Sequence, residues 1–428
     1  MQNKFLNLKY KPKKTDVICQ YKITPAKGLS LKKVSEDVAG ESSIGTWTSI
    51  GTMKKSIAQK LSPKIYYISE KDKRVRIAYP IELFEPGNIP EILSSVGGNI
   101  FGMKSVDGLL WEDLKIPEKM LKKFKGPNYG ISGLRKILKI SSRPFLGTII
   151  KPKIGLSEKE HSKVAYDAWI GGCDVVKDDE NLTSQSFNSF KKRFLLTIKA
   201  CKRAEKETGE KKIYLINCTA ETEEMKKRIE FVEKNGGNYI MLDIITLGWG
   251  ALQTARNFTK LPIHAHRAGH AMFDRNPNHG MSMEVIAELA RMIGVDSLHI
   301  GAIYGKMTGN KKEILHIERE IENQFTPQTR KYLEQKWYHI KPTLGVASGG
   351  IFPGIVDKII KSMGKDIIIQ AGGGIHGHPN GTIAGARAMR QAMDATMKNI
   401  PLKKYAEKNI ELKQALNRWG GQNDKKIN

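Results

Sequence analysis

The chain has 428 residues, 40% of them hydrophobic, and 71 Lys and Arg against 44 Asp and Glu give a formal net charge of +27. That length and apolar content allow two or three domains with a sizeable core, and no apolar run reaches the roughly 18 residues of a membrane span. The basic balance invites a nucleic-acid reading. However, the lysines are spread along the chain, in pairs such as Lys32-Lys33, Lys122-Lys123 and Lys403-Lys404, without interleaved aromatics, so anionic small substrates are expected rather than nucleic acid.

The first residues, 1–14, are polar and basic with no apolar stretch, so no secretory signal is expected. Cys19, Cys173, Cys201 and Cys218 form no C-x-x-C pair and fit free thiols in a reducing cytoplasm. Residues 1–125 read as an α+β domain. Strands are predicted over 16–23, 64–68 and 74–79, and helices over 29–39 and 89–96. Two stretches break this pattern. One, 41–48, is polar and holds Glu41, Thr46 and Trp47; the other, 97–102, sets Asn99 among glycines. Both read first as turns.

From about residue 145 short apolar runs alternate with helix-period segments. The runs are 145–150, 173–176, 213–216, 239–242, 261–264, 297–300, 344–347 and 366–369. Helical stretches between them include 158–170, 187–208, 222–235, 283–293, 355–363 and 383–397. Such a repeat predicts a (β/α)8 TIM barrel over 126–428 with C-terminal helices. A doubly wound open sheet would place G-x-G-x-x-G after the first strand; here that strand runs into Lys151-Pro152-Lys153.

Barrel chemistry sits where strands end, and all eight predicted ends are polar, charged or glycine-rich. They bring Lys151 and Lys153; Lys177, Asp178, Asp179 and Glu180; Asn217; Asp243; His264, His266 and Arg267; His299 and the loop holding Lys306; Ser348, Gly349 and Gly350; and Gly372, Gly373 and Gly374. Consecutive carboxylates repel one another and suit a hard cation such as Mg²⁺, although Lys177 beside them would repel it. Glycine pairs after the seventh and eighth strands let backbone N–H groups approach a phosphate. Arg267 and His299 supply a second anion site, so a bisphosphate is expected. Lys306, among glycines, reads as the cation on a lid. Histidines 264, 266 and 270 leave a zinc cluster as a competing reading.

These pieces, in this order, resemble the large chain of ribulose-1,5-bisphosphate carboxylase/oxygenase (RuBisCO), most like its archaeal-type form III group. The matching stretches are ESSIGTWT at 41–48, KPK at 151–153, GGCDVVKDDEN at 171–181, HAHRAGH at 264–270, 299–306, SGG at 348–350 and GGG at 372–374. The resemblance implies a ferredoxin-like N-terminal domain and a homodimer with shared active sites, or a ring of dimers, with no small subunit. It implies Mg²⁺ held by Asp179, Glu180 and Lys177, the last carrying activating CO2 as a carbamate. Lys177, Lys151, Lys153, His266, Lys306, Glu41 and Asn99 would be catalytic. Among them the Lys177 carbamate takes the C3 proton, Lys151 protonates the product, Lys153 tunes Lys151, His266 moves protons and Lys306 holds the new carboxylate. Arg267, His299 and Ser348 would bind one phosphate end and the sugar hydroxyls of ribulose 1,5-bisphosphate. Thr46, Trp47, Gly350, Gly372 and Gly373, beside Gly349, would take the other end. CO2 or O2 is the second substrate. A RuBisCO-like enolase or isomerase acting on a related phosphorylated sugar is the alternative; Asn99, Lys151, His266, Lys306 and Ser348 together favour the carboxylase. Ile149 and Ala302 stand where many relatives have threonine.

Overall fold

Residues 17–25 form a strand buried along most of its length; two similar segments pair with it directly, and a third joins the sheet beyond one of them. The computed structural model describes residues 5–46, 48, 50–305 and 310–420. Two compact units emerge. The first runs to Gly126 and takes in Gly269–Ile293 and Asn323–Ile340; the second holds Pro127–Ala268, Gly294–Glu322 and the chain from Lys341 on.

In the first unit Val17–Pro25 lies between Arg74–Tyr79 and Val106–Lys115, antiparallel to both, and Lys64–Ser69 forms the outer antiparallel strand. With helices Leu31–Glu41 and Ile89–Val96 between strands, this is the ferredoxin-like arrangement. The strand Val106–Lys115 was not expected. Its Glu112 and Asp113 are buried, which masks the alternation that marks a strand. Arg74 explains Glu112: its Nε donates to Glu112 Oε2 at 2.6 Å and its Nη2 to Oε1 at 3.1 Å. Gly280–Met281 extends the sheet as a parallel edge on Val106–Lys115.

Helix Met283–Ile293 also belongs to this sheet. The sequence suggested an amphipathic helix of the barrel rhythm, but all eleven of its residues are buried and it packs on Val106–Lys115. Ser282 fixes its start: the Ser282 N–H donates to the Trp111 carbonyl at 3.0 Å, and its hydroxyl donates to the Glu112 carbonyl at 2.9 Å. Arg291, inside the apolar surround, donates to the Asn323 carbonyl at 2.7 Å and stacks over Trp337.

The second unit is a closed barrel of eight parallel strands. They are Phe145–Ile149, Val175–Lys177, Ile213–Asn217, Ile240–Asp243, Ile263–His266, Ser297–His299, Leu344–Ser348 and Ile367–Gln370. Each overlaps a predicted run. Several reach further along the chain than their apolar letters, onto Lys177, Asn217, Asp243, His266, Ser348 and Gln370. Helix Gly130–Leu138, absent from the sequence reading, brings Leu134 and Leu138 into a core with Phe145, Val175, Ile213, Tyr239, Leu344 and Ile368. Asp296 receives the backbone N–H groups of Tyr129 at 2.6 Å and Gly130 at 2.9 Å, which secures the start of that helix. No helix among the described residues is long and apolar enough to cross a membrane.

Candidate active site

Side chains alternate along a strand, so the acids that end the second barrel strand cannot all face one way. Lys151 Nζ lies 2.6 Å from Asp179 Oδ2, Lys177 Nζ 3.5 Å from Glu180 Oε2, and Lys153 Nζ 3.9 Å from Glu180 Oε1. Asp178 turns away, onto Arg193 and Tyr214. Of the three consecutive acids, Asp179 and Glu180 thus stand as a pair faced by three ammonium groups, apart from Asp178.

Lys177 is fully buried. Burial lowers its pKa from the usual ammonium range, while Glu180 and Asp243 nearby oppose the shift. Its Nζ donates to the Asp178 carbonyl at 2.8 Å. Burial pushes the Glu180 carboxyl up, but Lys177 and His266 outweigh it and hold it at about 2. His266 joins from the fifth strand. Its Nε2 is 3.6 Å from Glu180 Oε2, and its Nδ1 is 2.9 Å from Asp243 Oδ1 on the fourth strand. Asp243, to which the sequence reading gave no role, thus orients His266. Asn217 Nδ2 donates to the Glu180 carbonyl at 3.1 Å.

A row of hydrogen bonds crosses the fourth to seventh strands. Tyr239 and Ser297 hydroxyls are 2.8 Å apart, His264 Nδ1 is 2.8 Å from Ser297 Oγ, and His264 Nε2 is 2.9 Å from His299 Nε2. His299 Nδ1 then reaches Ser348 Oγ at 2.8 Å. Burial drives both His264 and His299 well below the normal imidazole range, helped by the neighbouring Lys177 and His266. These two rings are neutral, one imidazole donating to the other, and each is committed to a hydroxyl. His270, the third histidine of the zinc reading, pairs with Asp274 at 2.7 Å.

Glycines shape the rest of the mouth. Gly349 and Gly350 have φ of 109° and 77°, a turn open to residues without Cβ. Gly305, at φ 150°, comes so close to this turn that a Cβ there would lie 2.1 Å from the Gly349 carbonyl oxygen. A Cβ on Gly301 would meet Arg267 Nη2 at 3.0 Å, and one on Gly372 would meet Lys151 Cε at 3.2 Å. The first, second, fifth, sixth, seventh and eighth strands thus bring Lys151, Lys153, Lys177, Asp179, Glu180, His266, Arg267, His299, Ser348, Gly349, Gly350, Gly372 and Gly373 to one end of the barrel. Lys306 and Trp47 lie outside the described residues. In the first unit Asn99 Nδ2 donates to Glu41 Oε1 at 3.2 Å, and Thr46 is exposed.

His376, which carries no sequence motif of its own, ties the eighth strand's glycines to the first strand. Its Nε2 is 3.0 Å from Thr148 Oγ1, and its Nδ1 is 3.1 Å from Thr382 Oγ1. Burial lowers its pKa to about 4. An unfolded His376 binds its proton near pH 6.5. The folded state therefore keeps this stability above that pH and loses it as pH falls toward 4. His376→Gln should flatten the fall in unfolding free energy across that window by up to about 3 kcal/mol; an unchanged slope in urea titrations at pH 7, 5.5 and 4.5 would refute it.

Asp179 and Glu180 offer carboxylate oxygens of the kind a hard divalent cation takes, while the ammonium groups that pair with them, Lys177 among them, oppose that cation as long as they carry their charge. The family model for the ribulose bisphosphate carboxylase large chain, catalytic domain, matches residues 130–419, and the N-terminal domain model matches 4–120. A protein named ribulose bisphosphate carboxylase from Methanosarcina mazei is 46% identical over 98% of this chain and 99% of its own. Its namesake from Methanocaldococcus jannaschii is 47% identical, over 97% and 99%. Among solved structures, the dimeric archaeal Rubisco from Hyperthermus butylicus aligns with a TM-score of 0.92 and 48% identity, covering 98% of this chain and 99% of that one. The octameric Rubisco from Pyrococcus horikoshii aligns at 0.92 and 42%, covering 99% and 98%. Matched along nearly its whole length, the chain belongs to the ribulose bisphosphate carboxylase (RuBisCO) large-chain family.

Proposed function

We propose that this protein is a ribulose-bisphosphate carboxylase, which adds CO2 to ribulose 1,5-bisphosphate and yields two molecules of 3-phosphoglycerate. One observation carries the reading: a fully buried lysine amine, held by a carbonyl, beside two carboxylates at a barrel mouth. Burial favours the neutral amine, the form that attacks CO2. In that step an N–C bond forms, one C–O π bond of CO2 becomes a carboxylate, and a proton leaves the nitrogen for water. A cation-repelling lysine becomes an anion. Lys177 so modified, Asp179 and Glu180 would then hold Mg²⁺, which when bound polarises the sugar's carbonyl and hydroxyl oxygens.

The remaining roles fall to the chain's own groups. Ser348 and His299 meet the sugar, and the Gly349-Gly350 and Gly372-Gly373 turns offer N–H groups to a phosphate. Arg267 neutralises the other phosphate, and Lys306 would close over the new carboxylate. The modified Lys177 accepts the C3 proton, and Lys151 returns a proton to the product with Lys153 nearby. His266, oriented by Asp243, moves protons during hydration. Glu41, Thr46, Trp47 and Asn99 would complete the site of a second copy, in a homodimer or a ring of dimers without a small subunit. O2 can enter in place of CO2. The four buried, unpaired cysteines support a reducing, cytoplasmic setting. Ile149 and Ala302 replace hydroxyls with apolar groups beside Lys151 and the lid base, positions suited to altering the choice between CO2 and O2.

Incubation with labelled bicarbonate, Mg²⁺ and ribulose bisphosphate under anoxic conditions should leave acid-stable label in 3-phosphoglycerate. Substrate that enolises or isomerises without taking up label would instead make the protein the enolase-type relative.

A further inference from the structure

The acid the site does not use is the most heavily bonded of the three. Asp178 is 0% exposed. Its Oδ1 accepts from the Tyr214 hydroxyl at 2.6 Å and lies 3.0 Å from His161 Nε2. Its Oδ2 accepts from the Asn217 N–H at 3.1 Å and from Arg193 Nε at 3.2 Å, with Arg193 Nη2 at 3.1 Å. Arg193 spends its other donors on the loop after the strand, reaching Asn188 Oδ1 at 3.1 Å and the Thr183 carbonyl at 2.7 Å. His161 and Arg193 come from the helices Glu158–Ile170 and Phe190–Thr208, and Tyr214 and Asn217 from the third strand.

A buried ion pair is weak evidence for stability, since an apolar set of the same volume often serves the fold as well. The charge here has a second consequence. The Asp178 carbonyl is the acceptor for Lys177 Nζ at 2.8 Å, and the Asp178 N–H is itself tied to the Leu215 carbonyl at 3.0 Å. Clamping the Asp178 side chain outside the barrel therefore fixes the carbonyl that aims the Lys177 amine inside it. The same clamp sets the turn by which Asp179 and Glu180 face that amine.

We propose that Asp178, with Tyr214, His161 and Arg193, is a positioning cluster that presents the Lys177 amine for addition of CO2. The proposal rests on the carbamate reading above. These residues touch no substrate; they act through Lys177. A purely structural cluster would change stability and leave the CO2 dependence of activation alone, whereas a positioning cluster changes that dependence.

The test uses the full chain. Tyr214→Phe removes one hydrogen bond to Asp178 and keeps the ring, and His161→Asn removes the neighbouring contact. Labelled CO2 retained on the protein is titrated against CO2 at fixed pH and Mg²⁺, and kcat and KM are measured after full activation. Half-maximal retention should need roughly three- to tenfold more CO2 in either variant, on the scale of the net contribution of one hydrogen bond. At saturating CO2, KM for ribulose bisphosphate should stay unchanged. Folded variants whose retention curves overlay the wild type would overturn the positioning role alone. Wild-type protein that retains no label would overturn the carbamate reading and this inference with it. Loss of fold in both variants and in Asp178→Asn would make the cluster structural and overturn the inference too.

Discussion

Lys177→Ala is expected to abolish carboxylation, lowering kcat/KM by at least about three orders of magnitude, because Lewis-acid polarisation supplies several kcal/mol of the barrier. The substitution removes a side chain that is fully buried and faces Glu180 at 3.5 Å. It leaves Asp179 and Glu180 in place, so the loss reads the third ligand rather than the carboxylate pair. Activity within tenfold of wild type would refute the carbamate. The same variant tests the shared site. Mixed with a Glu41→Gln chain and allowed to exchange subunits, it should recover about a quarter of wild-type activity, since half the dimers are hybrids with one intact site each. No recovery despite proven exchange would place Glu41 outside the partner's site.

Arg143→Ala is expected to have the largest effect on stability. Arg143 Nη1 and Nη2 donate to Asp174 at 2.6 and 2.8 Å, and Asp174 also receives the Leu146 N–H at 2.8 Å. Asp174 is fully buried. It lies next to the start of the second strand and bonds to the first, so this pair joins the strands that carry Lys151 and Lys177. Removing the guanidinium leaves a buried carboxylate whose remaining ion-pair partner among the described residues is Arg390, 3.8 Å away. The cost should be about 3–5 kcal/mol, read as a fall in urea midpoint at constant slope. A loss under about 1 kcal/mol would mean that Arg390 or water replaces the guanidinium.

The barrel was legible because parallel strands buried on both faces read as short apolar runs, and all eight lie where such runs stand. Their ends were less visible. A strand that finishes on Lys177, Asp243 or His266 looks finished one or two residues early, because the last position serves chemistry and not packing. The glycine turns and the acidic stretch could be read from residue types. The partition of Asp178 from Asp179 and Glu180 could be taken only from the family resemblance and not from residue types, because it depends on which way the strand faces when it leaves the barrel. His161, Arg193 and Tyr214 lie far from that stretch in the chain and carry no motif, and neither does His376. Val106–Lys115 escaped for a different reason: its buried acids are satisfied by partners remote in sequence or on the backbone, Glu112 by Arg74 and Asp113 by the N–H groups of Leu114 and Leu333.

Helix Met283–Ile293 and the edge strand Gly280–Met281 have a consequence for biosynthesis. Val106–Lys115 ends about 165 residues before Gly280 (280 − 115), and ribosomes add roughly 5–20 residues per second. The N-terminal sheet therefore waits on the order of 10–30 s with one strand edge unpaired and the surface beneath the buried helix bare. A sheet whose strands leave the ribosome well before the barrel is thus completed only by segments made after much of the barrel. A nascent chain stalled within the barrel would be the form most in need of a chaperone.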